Sequence, residues 1–407
     1  MISKEEGTSI QRKKIVWVSF LILDTFLHKT SRIEILRHLS QRGHDVHLIA
    51  VRSKKKSVFK DPIINVISIP LRYVPVVSPL LFSGILLFLL PYYIISLKPD
   101  YIITGPGVPV LSFIWARLLC RFRRLAFVLD IRSTPVETSG LQGFLNAFWF
   151  NVSVFVGKEF FNGMTIITTL MKKEICDKFH IDPRKVGIWT SGVSLTLFDP
   201  EKFEDEGMEL RRRFGLTDRF VVFYHGNFGP KRGITECIES INILKGKNDS
   251  VLFLLGTGPA LSEMESMVQR FGIQDKVIIH RPVDYEDVPK YVAMCNVGIV
   301  PLPDIPDWRN QCPLKLLEYL SMKKTVILTD IPAHREVVGK NKFGIYIRSA
   351  DANDIAEAIT YASNNSDEIR KYGEYGRTFI NERYSWEKVA KDLDDYLISL
   401  EDRFDRR

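Results

Sequence analysis

The chain predicts an α/β fold built from two Rossmann-like lobes in series, and three observations carry that reading. Its 407 residues exceed the usual reach of one hydrophobic core. Strand–helix–strand alternation starts at residue 15 and starts afresh at residue 220. Between the two series, Asp199–Glu209 is dense in turn formers and charge, the composition of a linker.

Each element follows from a local pattern. Ile15–Phe20 is an apolar strand, a helix follows over Ser31–Arg42, Gly43 stops it, and Val46–Val51 resumes the sheet. No GxGxxG follows the first strand, so this is not a dinucleotide fingerprint. Tyr101–Thr104 runs into the tight turn Gly105–Pro109, Leu125–Leu129 ends in Asp130 and Arg132, and Thr165–Thr169 is a further strand. In the second series Phe220–His225 meets the loop GNFGPKRG and a helix from about Ile234. Val251–Leu255 meets GTGP, and Lys276–His280 comes next. Residues 297–330 form a βαβ unit: strand Val297–Val300, a Pro-rich loop, an amphipathic helix carrying Glu318, and strand Thr325–Thr329. Gly344–Ile347 is a short strand and the last helix begins near Trp386. The expected divisions are a charged tail (1–14), a first lobe (15–198), a second lobe (199–384) and a terminal helix (385–407). No internal repeat is apparent.

Charge separates the halves. Residues 1–198 hold 26 Lys/Arg against 13 Asp/Glu, and the remainder holds 30 against 35. A basic first half suits an anionic surface or substrate. The cations are scattered and no nucleic-acid motif is visible, so nucleic acid is not expected as a partner. Five widely spaced cysteines without metal-ligand spacing read as reduced residues of a cytosolic chain. The polar first fourteen residues lead directly into a strand, which argues against a secretory signal.

Val74–Leu97 contains no charged residue, a length that could cross a membrane. Pro75, Pro79 and Pro91 and the direct continuation into KPDYIIT oppose spanning. Three readings are open: a lobe helix buried on its sheet, shallow insertion into the inner membrane face, and, least favoured, a true span. Lys54, Lys55, Lys56, Arg117, Arg121, Arg123 and Arg124 favour the second through anionic headgroups.

The loops that end the second-lobe strands carry the chemistry. Parallel α/β sheets bind ligands beyond the carboxyl ends of their strands. In GNFGPKRG, Gly226 and its fellow glycines let backbone approach an anion, a helix N-terminus adds partial positive charge, and Lys231 or Arg232 adds a full one. Gly256 and Gly258 end another strand of the same lobe, and Glu318 is placed to accept from ribose hydroxyls. Together these outline a nucleotide-sugar site.

The order GNFGPKRG, FLLGTGP, RPVDYEDVPKYVAMCNVGIVPL and NQCPLKLLEYLSMKKTVILTD resembles the carboxyl-terminal lobe of a retaining GT-B glycosyltransferase of family 4 (glycosyl transferase group 1). SGVSLTLFDP is similar to that family's interdomain strand exit, and YSWEKVAKDLDDYL to its terminal helix, which crosses back to the first lobe. The likeness is dense in motifs from about residue 188. It implies two Rossmann-like lobes facing across a cleft and metal-independent transfer with retention. No cofactor is implied. By resemblance Arg232 neutralises the donor diphosphate and Glu318 is the second glutamate of the E-x7-E motif. The intervening Gln311, Cys312, Pro313, Leu314 and Lys315, together with Arg281, join the expected donor site.

Departures from the family pattern matter. Asn310 stands at the first glutamate position, so an amide would meet the donor sugar there. Asn227 replaces the usual arginine, and Lys315 is either a substitute charge or a surface lysine. The comparable first-lobe strand offers no histidine. Asp130 and Arg132 are the candidates beside it, and His28 and Ser31 are further acceptor-side candidates. The expected activity is transfer of a sugar from a nucleotide diphosphate sugar to a lipid-linked or glycan acceptor. The expected place is the cytoplasm, peripheral on the inner face of the cell membrane. The alternatives are a nucleotide-sugar 2-epimerase of the same architecture and a catalytically silent binding protein.

Overall fold

Short strands of valine, isoleucine and leucine, buried on both sides, need helices over both sheet faces, and both halves of the chain supply them. In the computed structural model, residues 11–22, 30–52, 61–74, 76–135, 140–340 and 343–401 are described. The chain divides into a first unit, Met1–Trp189 with Ala390–Arg407, and a second, Thr190–Val389. Thr190–Phe198, expected in the first lobe, thus go with the second unit.

The first unit runs β1 (Lys14–Ile22), α1 (Thr30–Gln41), β2 (Asp45–Arg52), β3 (Asn65–Pro70), α2 (Val77–Leu97) and β4 (Tyr101–Thr104). It continues with α3 (Val110–Leu119), β5 (Ala126–Ile131), α4 (Gly140–Phe160), β6 (Gly163–Ile166), α5 (Thr169–Phe179) and β7 (Val186–Ile188). The parallel sheet has the order β3-β2-β1-β4-β5-β6-β7, so its direction of growth reverses at the β1/β4 boundary. Right-handed crossovers place α2, α3, α4 and α5 on one face and α1 on the other.

The second unit runs α6 (Glu204–Arg213), β8 (Phe220–Asn227), α7 (Ile234–Ile243), β9 (Ser250–Thr257), α8 (Leu261–Phe271) and β10 (Val277–His280). Next come α9 (Val288–Met294), β11 (Val297–Val300), α10 (Pro306–Arg309), α11 (Leu314–Ser321) and β12 (Thr325–Thr329). It ends with α12 (Pro332–Val338), β13 (Gly344–Ile347), α13 (Ala352–Asn364) and α14 (Ser366–Arg383). The parallel order β10-β9-β8-β11-β12-β13 puts the reversal between β8 and β11. Val222, Tyr224, Ile238, Leu252, Ile299 and Ile327 are fully buried in its core, each contributing about 1.5–3 kcal/mol by leaving water.

Three expectations change. The linker is partly α6, whose Glu204, Asp205 and Glu206 occupy its first turn and Arg211–Arg213 its last, the arrangement a helix dipole favours. Thr165–Thr169 is a strand only to Ile166, because the Thr168 side chain accepts from the Met171 N–H and starts α5. Strands β3 and β7 lie outside the sequence expectation, being only six and three residues long.

The final helix, α15 (Trp386–Glu401), ends in the first unit, as expected. Tyr396 fills the hollow over Gly163 and Gly187; a Cβ at Gly187 would lie 2.3 Å from its ring. Its hydroxyl accepts from Met164 N–H (3.1 Å) and donates to Lys185 O (2.6 Å). Asp394 accepts from Arg42 Nε and Nη2 (2.9 and 2.7 Å), and His44 Nε2 lies 3.0 Å from its other oxygen. Burial alone would raise the Asp394 pKa, but His44 and Arg42 hold it below the ordinary value. Its stabilisation is therefore present above the usual carboxylate range and is lost as pH falls through the lowered value. Asp394→Asn is expected to cost about 3 kcal/mol in denaturant unfolding at neutral pH, a difference that shrinks below about pH 4. Gly187→Ala is expected to cost about 1–3 kcal/mol in the same assay through overpacking against Tyr396.

Candidate functional site

Two loops converge at the β8/β11 reversal because glycine lets them. Gly233 has φ 72°, and a Cβ there would lie 2.0 Å from Pro301 O. Gly256, at φ 156°, would place a Cβ 1.9 Å from Gly226 O, which brings the β9 end against the β8 end. Trp308 of α10 closes the other side, donating its indole N–H to Lys231 O at 2.7 Å. The Arg232 guanidinium lies over the Trp308 ring, 4.6 Å from its centroid. An arginine held this way keeps its charge while losing few rotamers.

Lys315, in the first turn of α11, turns back toward β8. Its Nζ is 3.6 Å from the centroid of the buried Tyr224 ring and 3.4 Å from where a Gly226 Cβ would be. Burial pulls the Lys315 pKa well below that of an ordinary lysine; the charge of Arg232 pulls the same way, and Glu318 opposes. The structure thus resolves the sequence ambiguity: Lys315 is no surface lysine and stands with Arg232. The first turns of α7 and α11 add backbone N–H groups to these two cations. Such a cradle stabilises an anion, and above all one whose charge grows as a bond breaks.

Glu318, one turn further along α11, is 2% exposed. Tyr285 Oη donates to Oε1 at 2.7 Å, and His225 Nε2 lies 3.1 Å from Oε2, out of line for a hydrogen bond. The imidazole is fixed by Phe223 (ring centroids 5.7 Å) and Tyr319 (5.3 Å), and His225 N–H donates to Tyr319 Oη at 3.1 Å. Two buried amide atoms of the same loops, Asn227 Oδ1 and Gln311 Nε2, have no hydrogen-bond partner among the described residues. Buried polar atoms are seldom left so, and these two are free to meet a ligand.

Other expected donor residues are placed as follows. Gly226 and Gly258 end β8 and follow β9. Asn310 closes α10 and is half-buried. Cys312 is buried with its carbonyl accepting from Ser191 Oγ at 3.0 Å, Pro313 caps α11, and Leu314 opens it. Lys231 contributes its carbonyl to Trp308 from a left-handed backbone, φ 56°. Arg281 is exposed beyond β10, with β9 between that strand and β8. Sequence reasoning passed over His225, Tyr285 and Trp308. A histidine at the carboxyl end of an otherwise apolar strand was a usable signal, whereas nothing local marks Tyr285 or Trp308.

In the first unit Asp130 is wholly buried, and both oxygens are engaged. Thr165 Oγ1 and Trp189 Nε1 donate to Oδ1 (2.8 and 2.9 Å), and Arg32 Nη1 to Oδ2 (2.7 Å). As packed, Asp130 presents no exposed oxygen, which counts against direct contact with a sugar. Arg132 lies on the Trp189 ring at 3.4 Å and donates to Trp189 O at 2.5 Å. Ser31 is half-buried in the first turn of α1, beside Arg32, which stacks on Trp17 at 4.7 Å. His28 lies outside the described residues. Among the described residues, no three His, Cys, Asp or Glu side chains are grouped to hold a metal.

Residues 208–379 match the family described as Glycosyl transferases group 1, and residues 30–197 match Glycosyltransferase Family 4. The capsular polysaccharide biosynthesis glycosyltransferase CapM of Staphylococcus aureus is 22% identical over 368 residues, covering 89% of this chain and 91% of its own. The alpha-D-kanosaminyltransferase of Streptomyces kanamyceticus is 24% identical over 152 residues, 37% of this chain and 38% of that protein. A GDP-mannose-dependent phosphatidylinositol monomannoside mannosyltransferase of Mycobacterium tuberculosis is 23% identical over 192 residues, 46% and 50% of the two chains. The matches to these last two thus span half or less of their lengths. Anabaena HepE, solved with UDP and glucose, superposes with a TM-score of 0.76 at 13% identity, covering 95% of this chain and 100% of HepE. A glycosyltransferase of Rickettsia africae superposes with a TM-score of 0.74 at 15% identity over 96% and 98% of the two chains. With two family matches following one another along a fold shared almost end to end, the chain belongs to the group 1, family 4 glycosyltransferases of the GT-B fold.

Proposed function

We propose that this glycosyltransferase transfers a hexose from a nucleotide diphosphate sugar, with retention and without a metal, to a lipid-linked or polysaccharide-precursor acceptor at the inner face of the cell membrane. The observation that carries the donor half is the pairing of Arg232 and Lys315 at the β8/β11 reversal, with Glu318 beside them. A diphosphate suits two neighbouring basic side chains and two helix N-termini. A ribose suits a buried carboxylate, which accepts from hydroxyls. Leaving-group charge develops on the phosphate as the glycosidic bond breaks, where those cations act most strongly. Retention and metal independence follow from the family resemblance.

Relatives support the acceptor half. CapM is named for capsular polysaccharide biosynthesis, and the mycobacterial mannosyltransferase for a phosphatidylinositol acceptor. HepE is solved with UDP and glucose, which fits a nucleotide-sugar donor.

A panel of nucleotide sugars in thermal-shift measurements tests the donor. One donor at a hundredfold excess over Kd should raise Tm by about 5–10 °C. Arg232→Ala, Glu318→Ala and Lys315→Met should each weaken that donor at least tenfold, since each loses a bond to a charged group. No shift with any donor would leave a silent binding protein as the better reading.

Acidity should matter as well. The protonated form of Lys315 pairs with the diphosphate, and burial favours its neutral form. Donor affinity should therefore rise as pH falls through the lowered Lys315 pKa, and Lys315→Met should flatten that part of the profile in titration calorimetry. An unchanged profile in the variant would remove Lys315 from the phosphate site.

A further inference from the structure

We infer that the outer face of α2, α3 and α4 is a docking surface for an anionic lipid bilayer, with the helices lying in the interface and α2 not crossing it. This rests on the lipid-side acceptor reading above and names the surface that meets the lipid.

Apolar exposure is concentrated here. Of the 25 exposed large hydrophobic side chains among the described residues, 20 fall between Tyr73 and Phe160. On α2 the inward residues Phe82, Leu86, Leu90 and Ile94 are fully buried. The outward stripe Val77, Leu81, Phe88, Tyr92 and Ile95 follows the same helical repeat and is equally apolar. Leu111, Trp115 and Leu118 extend it on α3, and Leu141, Phe144 and Phe148 on α4. The helices are neighbours: Ser83 and Ser112 hydroxyls are 2.8 Å apart, and Gly107 N–H donates to Ser153 Oγ at 2.8 Å. Soluble monomers rarely leave contiguous apolar patches above a few hundred Å².

Charge selects the occupant. Between residues 62 and 129 the only carboxylate is Asp100, against six cations: Arg72, Lys98, Arg117, Arg121, Arg123 and Arg124. Asp100 already accepts from Lys14 N–H at 2.7 Å. Phe122, 86% exposed, sits inside the arginine run that follows α3. An aromatic ring flanked by arginines suits an interface of acyl chains below and phosphates above. A second copy of this chain, docked through the same face, would bring like charges together. Spanning fails for a different reason. The 21 residues of α2 are long enough to cross, yet Phe82 packs edge-on against Phe20 (5.4 Å) and Ser83 bonds α3, contacts a threaded helix would lose.

Flotation of the full chain tests this, using vesicles of phosphatidylcholine alone and of equal parts phosphatidylcholine and phosphatidylglycerol. Binding is expected to the anionic vesicles, with release by alkaline carbonate. The triple variant Arg121→Glu, Arg123→Glu, Arg124→Glu should lower partitioning about a hundredfold or more, and Phe88→Ser with Phe122→Ser at least tenfold. Both variants alter exposed side chains, and unchanged donor-dependent thermal shifts in them separate this surface from the donor site. The proposal is overturned by absence of flotation, by equal binding to both vesicles, or by retention in the membrane after carbonate. A lipid-free dimer that Phe88→Ser dissociates would assign the face to a second copy instead.

Discussion

The second unit depends on two basic side chains brought together at its sheet reversal. Arg232 and Lys315 come from loops on either side of the sheet reversal, and each rests on an aromatic ring instead of a carboxylate. Glu318, the carboxylate that opposes this charge, is held by Tyr285 and His225. Burial favours the neutral form of Lys315, because cation–π contact returns about 0.5–2 kcal/mol, far less than the hydration a charge loses there. The glycines, the short α10 and the Trp308–Lys231 bond hold the two basic side chains in place.

The first unit shows the opposite economy. Asp130 sits where a strand ends, a position that invites a catalytic reading, and it is saturated by Thr165, Trp189 and Arg32. The two arginines stack on the two tryptophans, Trp17 and Trp189, which pack edge to face at 6.0 Å. One carboxylate thereby ties β5 to β6, through Arg32 to Trp17 of β1, and to Trp189, where the chain leaves the unit. Such a hub fixes the strand ends around it, and removing its charge would leave Arg32 without its partner.

What the sequence made legible follows from the range of the forces involved. Buried parallel strands are continuous apolar runs, so β4, β11, β12 and β13 fall where expected to the residue. The loop that carries Arg232 was legible as a candidate site because glycine, a cation and a helix start occur within eight residues of one another. The saturation of Asp130 was not legible, since its partners lie 35, 59 and 98 residues away. Tyr285 was hidden for the same reason, reaching Glu318 across 33 residues. The linker reading of 199–209 erred because a charge-rich stretch reads alike in a loop and in a dipole-matched helix such as α6.

The apolar run of α2 posed a question that periodicity could not answer. A helix apolar on every side has no moment to reveal which side is packed, and sequence therefore treats core, interface and span alike. The structure breaks the degeneracy through the neighbours: one stripe meets β1 and α3, while the other is exposed among the described residues. Were the outer stripe merely tolerated, polar substitution there would cost the fold little and charge nearby would be mixed in sign. Instead apolar side chains recur on three adjacent helices, and carboxylates are nearly absent from the segment that builds two of them. Folding requires only the inner stripe, so the composition of the outer one reflects contact with something beyond this unit.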